Sequence, residues 1–220
     1  MGAGRSPAAK SGAMQVTAQN GKTVYLSSPL VYGKRDKLPI PSGNLDAWEK
    51  ANKNANRNEQ VLVLANDGSA IFTTSGGKNS AGIPASVMYK ATVLTHTHPR
   101  GSMTRQIGGT FSTKDMETFN KIRNLKTIRA VAAEGTYSMT KSANFNPHKF
   151  RLMVRDINNS YKVMQAKCAA FGVDLMTGKI DQHTYYKSTE KVFNAWLVDS
   201  HNALLKNRRK CGYSYSLERS

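Results

Sequence analysis

Two histidines, His96 and His98, end the apolar run A91-T-V-L-T. Residues i and i+2 of a strand point to the same side, so this spacing lets both imidazoles chelate one metal ion. Pro99 has no N–H to donate and stops the strand. A glycine-containing loop follows, and F111-S-T-K-D then opens a predicted helix with Ser112 at its N-cap. Asp115 is the first carboxylate after His98 and the natural third ligand. Two His, one Asp and a water make an open catalytic zinc site. S-x-x-D is also a capping pattern, in which Ser112 accepts from backbone N–H groups and Asp115 favours the positive end of the helix dipole.

The elements that must position these residues are legible around them. E59-Q-V-L-V-L-A reads as a buried strand, N66-D-G as a tight turn, and S69-A-I-F-T-T as the returning hairpin partner. S75-G-G-K-N-S-A-G reads as a loop, and P84-A-S-V-M-Y-K-A carries a helix start with Pro in its first turn. After the histidine strand, D115-M-E-T-F-N-K-I-R continues the second helix. T127-I-R-A-V-A-A and T136-Y-S-M-T are two strands joined at E134-G. The order hairpin, helix, strand, helix, hairpin predicts a compact α/β unit with a mixed sheet.

Upstream, residues 1–22 lack a sustained period and are expected to be disordered or loosely attached. T23-V-Y-L-S is a short strand candidate, and residues 29–41 form a basic, proline-containing connector. A helix is expected over about 45–57, with Leu45 and Trp48 on its apolar side. Downstream the period changes to helical. The run from Phe150 places Met153, Ile157, Tyr161 and Met164 on one face, and G172-V-D-L-M-T-G is expected to break it. A second long helix is expected from Asp181 to about Asn207, with Tyr185, Val192, Trp196 and Leu204 among its apolar positions. Its basic end, K206-N-R-R-K, suits a helix C-terminus. Three regions follow: a flexible basic segment 1–44, a metal-binding unit 45–145, and a basic helical extension 146–220.

The 220 residues carry a net charge of +18, large for their length. Basic residues outnumber acidic ones nine to three over 1–58, ten to five over 59–145 and thirteen to six beyond, so the basicity is spread. Spread charge predicts salt-sensitive attraction to nucleic acid or another acidic polymer, without a base-reading module. No apolar run has the length of a membrane span and no signal-peptide pattern is present, so a cytoplasmic or virion-associated protein is expected. M-G-A-G-R-S fits a loose myristoylation pattern and equally a flexible start. Cys168 and Cys211 lack metal-type spacing and read as reduced thiols. His148, His183 and His201 stand alone. H-E-x-x-H, an H-x-E with P-C-x-x-C, and G-x-x-x-x-G-K-[ST] are all missing, which argues against zincin, cytidine-deaminase and P-loop chemistry.

His96-x-His98-Pro99 followed by Ser112-x-x-Asp115 resembles the signature of the JAMM (MPN+, JAB-like) zinc metalloproteases. That family's frame also occurs in RadC and in JAB-like domains of phage head proteins and bacterial toxins. The run I128-R-A-V with G135-T-Y is similar to the phage-type members, and the resemblance covers roughly residues 45–141. The twelve residues between Pro99 and Ser112 exceed the family's usual spacing, with Gly101, Gly108 and Gly109 in the longer loop. The resemblance implies an MPN-like (cytidine-deaminase-like) mixed sheet flanked by helices, with Zn2+ on His96, His98 and Asp115. It also implies a catalytic glutamate just before the first core strand, the place held by Glu59.

The activity implied is hydrolysis of peptide or isopeptide bonds in a protein substrate. Glu59 would take a proton from the activated water and return it to the leaving amine, and Ser112 would help stabilise the oxyanion. A nucleic-acid-associated or virion protein that uses the same fold for binding is the competing expectation. A zinc-dependent toxin acting on nucleic acid is a third.

Overall fold

The structure is a computed structural model and describes residues 14–17, 23–26, 42–53, 58–76, 82–98, 110–133 and 135–218. Pro99, the glycine loop 100–109, residues 77–81 and most of 1–41 lie outside the described residues. Strands β1 (Met14–Thr17) and β2 (Thr23–Leu26) pair antiparallel. Part of the stretch expected to be disordered is therefore a hairpin, with alternating M-Q-V-T and T-V-Y-L facing each other in register. Helix α1 (Ser42–Asn52) begins earlier than expected, and residues 54–57, read as its last turn, are outside the described set.

The centre is a six-stranded mixed sheet. Its strands are β3 (Gln60–Leu64), β4 (Ala70–Ser75), β5 (Val93–Thr97), β6 (Thr127–Ala132), β7 (Gly135–Lys141) and β8 (Tyr213–Glu218). They lie in the order β4-β3-β5-β6-β7-β8, and only β5–β6 is parallel. Short helix α2 (Ala85–Met88) precedes β5, and α3 (Thr113–Lys121) makes the crossover to β6. All five residues of β3 are buried, as expected of a strand covered on both faces. At the β3–β4 turn Gly68 takes φ 79°, and the Asp67 carboxylate accepts from the Ser69 N–H and hydroxyl.

Two apolar layers follow from the strand period. Leu62, Leu64 and Ala70 face α1 and pack on Trp48, with Leu45 beside them, so the expected apolar side of that helix is the one it buries. Val61, Val63, Leu94, Ile128, Ala130 and Met139 face the other way, toward α3 and the long helices α4 (Pro147–Met176) and α5 (Gln182–Cys211). In α4 the buried positions Phe150, Met153, Val154, Ile157 and Met164 follow the helical period. Tyr161 packs against Trp196 of α5 at a ring separation of 4.9 Å.

The C-terminal region narrows one expectation and departs from another. The expected break over 172–178 falls at the far end of that stretch: Gly172 lies within α4, which runs on to Met176. A single mid-helix glycine costs only ~1 kcal/mol, whereas a left-handed residue just past the last turn is a common way for a helix to end. Gly178, at φ 71°, supplies it. The region expected as a helical extension also provides β8, beyond the second helix, which pairs with β7 from Thr136↔Glu218 to Lys141↔Tyr213. Tyr213 and Tyr215 are buried while Ser214 and Ser216 are exposed, so the alternation Y-S-Y-S was a readable strand signal.

Helix α5 turns into β8 through Gly212 at φ 73°, whose N–H donates to Arg208 O at 2.9 Å. A Cβ there would sit 2.7 Å from the Asn144 carbonyl carbon and 2.8 Å from Phe145 N. Gly212→Ala therefore combines a disfavoured φ with a backbone collision. It is expected to lose at least ~1–3 kcal/mol and to lower Tm by roughly 2–10 °C in thermal unfolding, while Gly172→Ala, with nothing within 4 Å of its Cβ, is expected to match or exceed the parent.

Candidate metal centre

The site lies where the end of β5 meets the start of α3. Val61 of β3 is paired with His96, and Ala130 of β6 flanks it on the other side, so the imidazole stands in a row of buried side chains. The small Ala130 leaves space for the ring, whose side chain is 3% exposed. His98, two residues on, keeps the same face, and its N–H donates to Val131 O at 2.9 Å, extending the ladder past the last strand residue. The fully buried Phe111 ring lies 6.5 Å from the His96 ring.

Ser112 caps α3 in the expected way. Its Oγ accepts from Asp115 N at 3.2 Å, and the Ser112 N–H donates to Asp115 Oδ2 at 2.8 Å, closing a capping box. The Ser112 hydroxyl also donates to the same Oδ2 at 2.6 Å. This carboxylate faces the histidines too: Asp115 Oδ1 is 3.3 Å from His96 Nε2, and Oδ2 is 3.6 Å from His98 Nε2. The capped carboxylate is thus also the one that the imidazoles meet, and the cap sets its orientation.

The two Nε2 atoms are 3.0 Å apart. Two nitrogen lone pairs at that distance need a cation or a shared proton between them. A third donor on the same point favours the cation. Four ligands around an ion at ~2.0–2.1 Å lie ~3.3 Å from one another in a tetrahedron. The two Nε2 atoms are near that edge, the Asp115 oxygens come to 3.3 Å from His96 and 3.6 Å from His98, and one ligand atom from each residue lies within 4.8 Å of the others, so the three side chains can hold a metal ion. Burial alone would raise the Asp115 carboxyl, but charge and hydrogen bonds from His96 and His98 outweigh it and hold the group well below the ordinary carboxylate range. An ionised carboxylate is the form a metal requires. His96 Nδ1 is buried and makes no hydrogen bond among the described residues.

Glu59 comes to the same face. The pairing Val61↔His96, carried two residues on, sets Glu59 opposite His98, and Gly76 N donates to Glu59 O at 2.8 Å to hold the backbone there. Burial raises the Glu59 carboxyl, electrostatic interaction with His96 lowers it, Asp115 raises it and His98 lowers it, so this group feels all three site residues. It is not one of the three converging donors. Glu49 of α1 is on the opposite face of the sheet. Its carboxylate accepts from Arg129 Nε at 2.7 Å and from the Thr95 hydroxyl at 2.9 Å. Removing one partner of such a buried pair costs about 3–5 kcal/mol, which makes Glu49 a structural residue.

Among the remaining histidines, His148 meets Arg151 at 3.1 Å and His201 meets Tyr215 at 2.8 Å, so neither joins the cluster. His201, which stands alone in the sequence, gains its partner only when β8 folds back along α5. Cys168 and Cys211 are free thiols, and Cys168 contacts Met164 Sδ at 3.7 Å. Among the described residues no helix is long and apolar enough to cross a membrane. Comparison with known proteins finds no matching family, no matching curated protein and no matching solved structure.

One divalent ion per chain is expected in a zinc titration. His96→Ala, His98→Ala and Asp115→Ala should each weaken binding by more than the ~10–100-fold typical of outer-shell changes, and Cys168→Ser should leave it unchanged. Stoichiometry near one in all three ligand variants would show that these side chains do not hold the ion.

Proposed function

We propose that this chain is a zinc-dependent hydrolase of peptide or isopeptide bonds, with a JAMM-like arrangement of its α/β core. The observation that carries the reading is the meeting of His96, His98 and Asp115 at metal-ligand separations with the non-ligating Glu59 on the same face. Two imidazole nitrogens and one carboxylate make a donor set that suits zinc. When bound, zinc supplies a Lewis acid and lowers the pKa of a coordinated water toward ~7.

The chain's own residues supply the proton transfers. Glu59, partly kept from solvent and raised by burial, is a stronger base than an exposed carboxylate and suits taking a proton from water. The same carboxyl then returns that proton to the leaving amine. Ser112 has two roles open to it. Its hydroxyl donates to Asp115 and so orients that carboxylate. Donating to a substrate oxyanion instead requires the O–H to turn away from Asp115, a rotation about one bond.

Glu59→Gln separates catalysis from binding. Zinc stoichiometry and Tm should stay near the parent while turnover of a peptide or isopeptide substrate falls by ~10²–10⁴-fold. Loss of zinc along with turnover would make Glu59 a ligand, and full turnover would overturn the proposed chemistry.

A second reading, association with nucleic acid, is favoured by the charge of +18 and by where part of it gathers. Asn146 N donates to Cys211 O at 2.9 Å, which brings the start of α4 beside the end of α5. Exposed Lys149, Lys206, Arg209 and Lys210 therefore share one end of the helix pair. Binding to duplex DNA or RNA is expected to weaken steeply with salt. Replacing these four residues by Gln should reduce the magnitude of the log–log slope by up to ~4. Salt-independent binding, or none at low salt, would remove this reading.

A further inference from the structure

The site's third ligand depends on the segment just ahead of α3, and that segment is tied to the far edge of the sheet. Tyr215 of β8 is 3% exposed. Its hydroxyl lies 2.7 Å from Thr110 Oγ1 and 2.8 Å from His201 Nδ1. A phenol can donate one hydrogen bond and accept another, so both contacts hold at once. Burial lowers the His201 pKa and favours the neutral ring, which can accept from the phenol or donate to it. The Tyr215 ring stacks on Tyr137 at 6.4 Å with 15° between planes, which fixes the direction of the hydroxyl.

Thr110 is buried and stands two residues before the cap Ser112. Between them Phe111 packs 6.3 Å from Tyr215 and 6.5 Å from His96. Buried Met116 and Phe119 hold α3 along its apolar face. They leave its N-terminal turn to the cap and to whatever fixes the residues before the cap. We infer that Tyr215, held by His201 and Tyr137, is a positioning residue for the metal centre: it anchors Thr110–Phe111, and through the Ser112 cap it sets Asp115 against His96 and His98. This inference rests on the metal-site reading, but the anchor itself is a property of the chain without an ion.

The test compares three variants of the full chain. Tyr215→Phe keeps the ring stack and removes the hydroxyl. Thr110→Val removes the other partner at nearly constant volume. Tyr213→Phe is the matched control, since it deletes a hydroxyl of the same strand that donates to Leu204 O at 2.6 Å, away from the site. Zinc affinity should fall about 10-fold in Tyr215→Phe and in Thr110→Val, with the double variant no weaker than either single one. It should hold in Tyr213→Phe even if that variant loses more Tm.

Hydrogen exchange without metal gives an independent readout. The Asp115 and Met116 amides, which donate to Ser112 Oγ and Ser112 O, should exchange about five-fold faster in the first two variants and not in the control. Parent protein that binds no zinc, with the exchange pattern intact, would overturn the metal reading and leave the anchor standing. Unchanged affinity and unchanged exchange in Tyr215→Phe and Thr110→Val would overturn the anchor. Equal losses of affinity in Tyr213→Phe would do the same, because they would mark a general effect of stability.

Discussion

Asp115 closes the capping box of α3 through Oδ2 and presents Oδ1 to His96 and Oδ2 to His98. A carboxylate with 18% of its side chain exposed has given up much of its hydration, and neither set of partners replaces it alone. The cap contributes ~1 kcal/mol and a fixed orientation. The imidazoles contribute the opposing charge. The geometry is preset because the helix start is rigid through its hydrogen bonds, the strand end is rigid through its ladder, and the carboxylate is their meeting point.

Glu49 and Glu59 show how strand period decides chemistry. Thr95 and His96 are neighbours in sequence and point to opposite faces. Glu49 meets Thr95 and is locked in a bidentate pair with Arg129, which also reaches Glu218 of β8. Glu59 shares the face of His96 and is left with burial and the site charges. A shift of one residue in the β3–β5 register would exchange their surroundings. Gln60 guards against that shift: its N–H donates to Thr97 Oγ1 at 2.9 Å and its side chain to Ser75 Oγ at 2.9 Å.

Much of this was open to reading from the residues alone, for reasons that differ between elements. The β3–β4 hairpin, the β6–β7 hairpin and the histidine strand are short-range structures whose turn residues and alternation are local. The same holds for the Ser112 cap, and for Leu45 with Trp48 on α1. What escaped depends on partners distant in sequence. Glu49 and Arg129 are 80 residues apart, and nothing near Glu49 distinguishes it from a solvated helix residue. His201 needs Tyr215, whose strand follows a long helix and was hidden by it. Gly172 and Gly178 look alike in sequence, and only the φ each adopts shows which one stops α4. The structure brings His96, His98, Ser112 and Asp115 together and sets Glu59 within electrostatic reach of them, a grouping that the strand spacing and the cap pattern already suggested.

The pairing of β8 with β7 carries a consequence for how the chain is made. About seventy residues, almost all of them in α4 and α5, separate the two strands. At ribosomal rates of ~5–20 residues per second, β7 emerges roughly 4–14 s before its neighbour exists. Through that interval Gly135–Lys141 is an open edge, with unpaired N–H and C=O groups able to accept a strand from another nascent chain. A ribosome that stalls within α5 would prolong that state, and slowing of translation along the two helices would widen the window for mispairing between neighbouring chains on one message.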